Sequence, residues 1–212
     1  MLLPLTDFSA LLGINLVLCA VCLRLLRGRS DVVMTWKNWV TAGFFVALWC
    51  PVGSAYIPIV GYIRGVSSDL SITLVALACL VSLRDQFGFE WLDQRNVTAV
   101  WVAAAVVALI LYPLALGWGD WDPYRLGWSS PGFLLGLLIV SLVCWVSKLR
   151  LLPLLVALAL LAWSMDVLES TNLWDYLIDP WLALMAIYQC LRVGTKKIWT
   201  RLSSVRREVH DG

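Results

Sequence analysis

Histidine is almost absent from this sequence, because the single residue, His210, lies two positions before the end of the chain. Metal sites that need several histidines, bis-histidine haem and membrane hydrolases that use an embedded histidine are therefore excluded. A glycine-rich phosphate loop and a Gly-x-Ser-x-Gly nucleophile motif are missing as well. The sequence accordingly predicts no metal and no cofactor, and it assigns no catalytic residue.

Charged residues are also few: Asp, Glu, Lys and Arg make up 14% of the 212 residues, whereas 61% are hydrophobic. The mean hydropathy of +0.83 is too high for a soluble globular domain. Because a membrane-spanning helix takes about 20 residues, five to seven spans with short loops would use the whole chain. The composition thus predicts an all-α, polytopic transmembrane helix bundle with no separate catalytic domain.

Stretches without charge mark the predicted spans, and interfacial residues mark their ends. We expect about seven spans, with six as the alternative count. The seven are Phe8–Leu26, Trp36–Cys50, Val66–Leu83, Val97–Trp118, Gly132–Ser147, Leu151–Val167 and Tyr176–Leu191. The bundle therefore occupies residues 1–191, and residues 192–212 form a basic cytoplasmic tail.

Two connections between the predicted spans are unusual. The apolar stretch from Pro51 to Ile63 makes the second segment longer than one span needs, which favours a kink, a broken helix or a short re-entrant piece. The polar residues from Arg84 to Asn96 stop the third helix and suit an interfacial loop or a short amphipathic turn.

The positions of the basic residues predict the orientation of the bundle. With the N-terminus outside and seven spans, fourteen Lys and Arg residues fall on the inner side and only Arg64 and Arg125 fall on the outer side. Cytoplasmic loops carry such an excess of Lys and Arg, so the C-terminus is predicted to be cytoplasmic. The chain is expected to be an integral membrane protein of a bacterial inner (plasma) membrane.

The same arrangement gives the outer side an excess of acids that the rule for Lys and Arg does not explain. These acids are Asp7, Asp69, Asp120, Asp122, Asp166, Glu169, Asp175 and Asp179. Asp166 and Glu169 have i,i+3 spacing near the end of the sixth helix, and Asp175 and Asp179 have i,i+4 spacing at the start of the seventh.

The sixth and seventh helices have short charge-free cores, so some of these acids are expected below the headgroups. An ionisable group at that depth faces the bundle interior, a partner or a wet cavity. The alternative is structural, in which the acids cap helix ends, pair with Arg64 or Arg125, or extend into water.

Two outer loops resemble each other in sequence. Trp121-Asp122-Pro123-Tyr124 precedes Arg125, and Trp174-Asp175-Tyr176 precedes Asp179-Pro180-Trp181. Asp-Pro is a helix-start signal, and Trp and Tyr gather at membrane interfaces, so both loops have a structural explanation. The functional alternative is an outward cleft that binds a sugar or a polar lipid headgroup. The candidate ligand or partner residues are Asp120, Trp121, Asp122, Tyr124, Arg125, Asp166, Glu169, Trp174, Asp175, Asp179 and Arg64.

The leading hypothesis is a non-catalytic integral membrane protein, a subunit or accessory factor of cell-envelope assembly. Its acidic, Trp-rich outer face would contact a membrane protein partner, a periplasmic glycan or a lipid headgroup. One alternative is a membrane-embedded transferase that acts on a lipid or lipid-linked sugar, with Asp120, Asp122 or Asp166 as base or metal ligand. The other is a small transporter. Nucleic-acid binding is not expected, because no folded reading surface accompanies the basic tail.

Overall fold

The computed structural model of the chain describes residues 5–27, 34–87 and 93–210. These residues are mostly helical, which confirms the helical part of the prediction. Residues 88–92 of the predicted polar connection and 211–212 of the tail lie outside the described residues. The elements are α1 (Leu5–Arg27), α2 (Met34–Leu48), β1 (Pro51–Val52), β2 (Ile57–Pro58), α3 (Ile59–Ser67), α4 (Ile72–Phe87), α5 (Gln94–Ala115), a 3-10 helix (Pro123–Gly127), α6 (Pro131–Val146), α7 (Leu151–Ser164), α8 (Leu173–Leu177) and α9 (Pro180–His210).

Among the described residues, two helices are long and apolar enough to cross a membrane. They are Leu5–Leu26, with a mean hydropathy of 2.2, and Gln94–Ala115, with 2.3. Shorter apolar helices occupy Ile72–Arg84, Pro131–Val146 and Leu151–Ser164. A 16-residue helix such as α6 rises about 24 Å, somewhat less than the hydrocarbon core of about 30 Å.

The stretch after α2 forms a hairpin. β1 and β2 pair antiparallel, with Val52 opposite Ile57, and Gly53 makes the turn with a φ of 76°. The Tyr62 hydroxyl of α3 donates to the Val52 carbonyl at 3.1 Å and ties the hairpin to the helix that follows. The interruption expected between Pro51 and Ile63 therefore consists of a hairpin and the start of α3.

The third predicted helix is wrong at both ends. Its first residues belong to α3, and the chain leaves helical geometry at Ser68, whose φ is 61°. α4 then begins at Ile72 and continues past Arg84 to Phe87. The break comes from tertiary contacts at residues 69–71, described below, which hydrophobic periodicity does not report.

The sixth and seventh predicted helices also need correction. α7 ends at Ser164, so Asp166 and Glu169 do not share a helical face, and Asp166 has a left-handed φ of 49°. The last helix is divided into α8 and α9, because the backbone is extended at Ile178 and Pro180 starts a new helix. Asp175 and Asp179 therefore lie on different elements.

One hydrophobic core joins most of the helices. α1 packs against α2, α3 and α4, whereas α5 packs against α7 and α9. Fully buried Asn15 of α1 donates to the Phe45 carbonyl of α2 at 3.1 Å and accepts from the Cys19 thiol. This satisfied polar contact links two apolar helices, as is common between membrane helices.

The two ends of the bundle carry opposite charge. Arg24, Arg84 and Arg192 line one cavity between α1, α4, α5 and α9, and we call this the basic end. Asp7, Asp69, Glu169, Asp175 and Asp179 lie at the opposite ends of these helices or in the adjoining loops, which we call the acidic end. α9 has 31 residues and a length of about 46 Å, so the predicted boundary at residue 191 lies inside a helix.

Candidate functional site at the acidic end

Arg64 collects three carboxylates from three separate parts of the chain. Its Nη1 lies 2.5 Å from Asp7 Oδ1, its Nε 2.7 Å from Asp69 Oδ1 and its Nη2 3.0 Å from Glu169 Oε1. The Arg64 and Asp69 side chains are less than one-fifth exposed. The hydrogen bond that Arg64 donates to Asp69 raises the pKa of Arg64 above its usual value. One guanidinium thus binds acids from α1, the α3–α4 connection and the α7–α8 connection.

The local backbone explains how Arg64 meets Asp69. Val60 is fully buried and anchors α3, whose C-terminus is closed by a hydrogen bond of 2.9 Å from the Ser68 amide to the Arg64 carbonyl. The positive φ of Ser68 turns the chain back immediately after this helix. The Asp69 carboxylate therefore lies beside the side chain of Arg64, five residues earlier in the chain.

The two loops that resemble each other in sequence bind each other. The Tyr124 hydroxyl donates to Asp175, 2.9 Å from Oδ2, and the Ser170 hydroxyl donates to the same carboxylate. Burial, followed by the hydrogen bond to Asp175, raises the pKa of Tyr124. The phenol therefore stays protonated and acts as the donor. We call the joined segments 122–128 and 170–178 the outer clasp.

Two further hydrogen bonds close the outer clasp. Asn172 Nδ2 donates to the Tyr124 carbonyl and Trp174 Nε1 donates to the Pro123 carbonyl, each at 3.0 Å. Asn172 also caps α8, because its Oδ1 accepts from the Trp174 amide at 2.9 Å. A Cβ on Gly127 would lie 1.7 Å from Asn172 Oδ1, so only glycine permits this approach.

Asp179 connects the N-termini of two helices. Its Oδ2 accepts from the Ser71 amide at 2.7 Å, next to the start of α4, and its Oδ1 accepts from the Leu182 amide of α9 at 2.8 Å. The residue is buried. Asp179 therefore starts α9, as the Asp-Pro signal predicts, and also ties the start of α9 to Ser71, the residue before α4.

Replacing Asp179 by alanine is expected to lower the free energy of unfolding by about 1 to 2 kcal/mol, since a helix cap is lost and the Ser71 amide loses its acceptor. Thermal unfolding of the purified protein in detergent, followed by circular dichroism, measures this. Asp120→Ala is the matched control, because Asp120 is exposed. Equal destabilisation by the two variants would contradict the capping role of Asp179.

The other candidates do not join these contacts as one pocket. Asp122 accepts from the Tyr124 amide at 3.0 Å and caps the 3-10 helix. Asp120, Trp121, Arg125 and Asp166 are exposed. Within the described residues Arg125 forms no ion pair, so of Arg64 and Arg125 only Arg64 is paired with acids there.

An apolar cavity of about 510 Å³ lies beside the outer clasp, between α5, α6 and α7. The Phe133 and Trp174 rings, whose centroids are 4.5 Å apart, form part of its wall. Thr73 and Ser130 provide the hydroxyl groups of the lining, and the lining residues that the structure describes include no carboxylate. The cavity suits a hydrocarbon chain better than a polar reaction.

Sequence reasoning missed Ser170, Asn172 and Gly127 as members of the acidic end. Asn172 had a usable signal, because Asn before a short helical segment is a preferred cap. Gly127 had none, since its requirement for a hydrogen side chain comes from a residue 45 positions later in the chain.

Comparisons with known proteins add no functional assignment: no protein family, curated protein or solved structure matches this chain. Across the described parts of the chain, no group of three His, Cys, Asp or Glu side chains is arranged to hold a metal ion. The acids of the acidic end instead bind Arg64, hydroxyl groups and backbone amides, which is an arrangement that fastens helix ends together.

Proposed function

We propose that the chain is a multi-pass, non-catalytic integral membrane protein that serves as a subunit or accessory factor of envelope assembly in a bacterial-type inner membrane. The observation that supports this proposal is the set of contacts that the acidic side chains make. Asp7, Asp69 and Glu169 pair with Arg64, Asp175 binds Tyr124, and Asp179 caps α9 and accepts from the Ser71 amide. Acids engaged in this way stabilise the fold, and the cluster around Arg64 includes none of Asp120, Asp122 and Asp166, the carboxylates that the transferase hypothesis requires.

Surface composition supports a multi-pass arrangement. Helix α6 has no buried residue, and large apolar side chains such as Leu138, Leu142 and Val143 are exposed along it. Exposed apolar surface on this scale suits contact with lipid. The proposed spans are α1, α2, α4, α5, α6, α7 and α9, with α3 and α8 as short helices at the acidic end.

Exposed tryptophans support the same placement because they fall at both ends of the bundle. Trp118, Trp121, Trp128 and Trp181 belong to the acidic end, and Trp36, Trp39 and Trp145 lie towards the other end. The Arg150 guanidinium lies 5.9 Å from the Trp145 ring centroid. Aromatic belts beside basic residues are typical of the cytoplasmic interface. We therefore place the basic end and the C-terminus in the cytoplasm.

The proposed contact surface is the loop between α5 and α6. Trp118, Trp121 and Trp128 are 82%, 57% and 53% exposed, and Asp120 and Arg125 are exposed among them. The outer clasp fixes the second half of this loop. Aromatic and arginine side chains on a rigid support are characteristic of protein interfaces, so a membrane protein partner fits best, with a glycan or lipid headgroup as the other outcomes.

No specific observation supports either of the two alternative functions. A transferase that uses Asp120, Asp122 or Asp166 needs two of them at one cavity, but no described carboxylate lines the cavity at the basic end or the cavity beside the outer clasp. A transporter needs polar groups along a path through the bundle. The buried polar side chain at mid-length of α1, Asn15, is instead fully engaged with α2 and Cys19.

Cysteine labelling tests the orientation. In a cysteine-free background, we expect Asp120→Cys to react with a membrane-impermeant maleimide in intact cells. Lys148→Cys, at the opposite end of α6, is expected to react only after the cells are permeabilised. The reverse pattern would overturn the proposed topology.

Complementation tests the non-catalytic role. In a host strain whose envelope defect follows loss of this chain, Asp120→Asn and Asp122→Asn are expected to restore growth as the unmodified chain does. The Trp118→Ala/Trp121→Ala double variant is expected to fail although it inserts normally. Loss of function in the Asn variants would favour the transferase, because Asn keeps the capping ability of Asp122.

A further inference from the structure

The basic end contains a second large cavity, of about 490 Å³, between α1, α4, α5 and α9. Its volume is in the range of about 300 to 1,000 Å³ that is usual for ligand pockets. Val17, Leu77, Val97 and Met185 contribute to apolar walls, while Arg24, Arg84 and Arg192 form its charged part. The cavity is therefore amphipathic along its length.

The length of the cavity along the helices matches the thickness of one leaflet of a membrane. Val17 and Arg24 are seven residues apart in α1, as are Met185 and Arg192 in α9, which corresponds to about 10 Å along each helix. Half of a hydrocarbon core is about 15 Å thick. With the arginines at the headgroup level, the apolar walls extend through most of the hydrocarbon region of that leaflet.

The described lining of the cavity is basic. Its three guanidinium groups come from three different helices, and its described lining residues include no Asp or Glu. Gln94 and Gln189 add neutral donors. Guanidinium groups bind phosphate oxygens through two parallel hydrogen bonds, and basic pockets between membrane helices on the cytoplasmic side bind anionic lipid headgroups.

We propose that this cavity binds an anionic phospholipid of the cytoplasmic leaflet. The phosphate contacts Arg24, Arg84 and Arg192, and one acyl chain lies against the apolar walls. A free phosphate would leave those walls unfilled. The cavity beside the outer clasp has apolar walls but no cationic side chain in its described lining, so it has no equivalent headgroup site. The inference rests on the membrane placement proposed above and not on the Trp-rich contact surface.

Native mass spectrometry of the full chain in mild detergent tests the proposal, with dioleoylphosphatidylglycerol and dioleoylphosphatidylcholine as probes. We expect the anionic lipid to be retained about tenfold more tightly. The double variant Arg24→Gln/Arg192→Gln is expected to bind both lipids equally. The matched control is Lys148→Gln/Arg150→Gln, which removes two basic-end charges outside the cavity and should keep the preference. A wild-type chain without headgroup preference overturns the proposal, whatever the variants do.

A second set of measurements distinguishes binding of the whole lipid from binding of its headgroup alone. Ala78→Phe fills the apolar wall without changing charge and is expected to weaken phosphatidylglycerol binding about tenfold, while glycerol phosphate should not compete at all. Effective competition by glycerol phosphate, or undiminished lipid binding in Ala78→Phe, would reduce the site to a surface anion site and overturn the proposal. Equal losses in the Lys148→Gln/Arg150→Gln control would do the same, since net charge would then explain the binding. Failure of this test leaves the cysteine labelling result unchanged, so the two proposals fail separately.

Discussion

Gly127→Ala is expected to lower the free energy of unfolding by about 3 to 4 kcal/mol, which combines overpacking with the loss of two hydrogen bonds of the outer clasp. The added Cβ would lie 1.7 Å from Asn172 Oδ1 and 2.8 Å from Trp174 Cδ1. Asn172 is buried and fastened on two sides, so it has no space to move away. The 3-10 helix must then separate from α8, and thermal unfolding in detergent measures the loss.

Gly136→Ala is the matched control for this prediction. A Cβ at Gly136 meets no atom within 4 Å, and the residue lies inside α6, where alanine is the better helix former by about 1 kcal/mol. The control is thus expected to be neutral or stabilising. In a double-mutant cycle, Asn172→Ala should relieve part of the Gly127→Ala cost. Strict additivity of the two substitutions would mean that the residues do not meet as described.

Arg64→Gln is expected to lower the free energy of unfolding by about 2 to 3 kcal/mol. Removing one partner of a buried ion pair costs about 3 to 5 kcal/mol, and partial exposure reduces this. Asp69 is less than one-fifth exposed and would lose its counter-charge, whereas Glu169 is 62% exposed and can be hydrated instead. Chemical or thermal unfolding of the purified variant measures the change.

Two controls accompany Arg64→Gln. Arg125→Gln removes the other arginine of the acidic end, which is exposed, and should change the stability by less than about 0.5 kcal/mol. Arg64→Lys keeps the charge but lacks the planar fork that reaches three carboxylates, so it should restore the stability only in part. A full rescue by lysine would show that net charge at this end matters more than the geometry of the cluster.

The helices themselves could largely be predicted from the sequence, because apolar runs and their charged ends are local properties. α1, α2, α5 and α6 lie within a few residues of the predicted bounds. Errors concentrate where distant residues decide a boundary. The start of α4 depends on Asp179, more than 100 positions away, which accepts from the Ser71 amide. A periodicity argument has no access to such a contact.

The acidic end could likewise be predicted only in part. The sequence identified the acids and the two Trp-containing loops, and pairing with Arg64 and helix capping were among the structural alternatives. It also grouped Asp166 with Glu169 and Asp175 with Asp179 on helical faces, which the structure contradicts, because α7 ends early and α8 and α9 are separate. Helical spacing has meaning only where the helix is continuous.

The sequence by itself determined that the chain is helical and apolar and where its charges lie along it. The reason is that composition and hydrophobic patterning determine how much apolar surface has to be buried away from water. Only the tertiary structure decided what the charges do. Arg64 lies among three acids because α3 and the α7–α8 connection meet beside α1, and Gly127 is required because Asn172 occupies the adjacent space. Electrostatic and steric partners of this kind are set by proximity in space, which spacing along the chain does not encode.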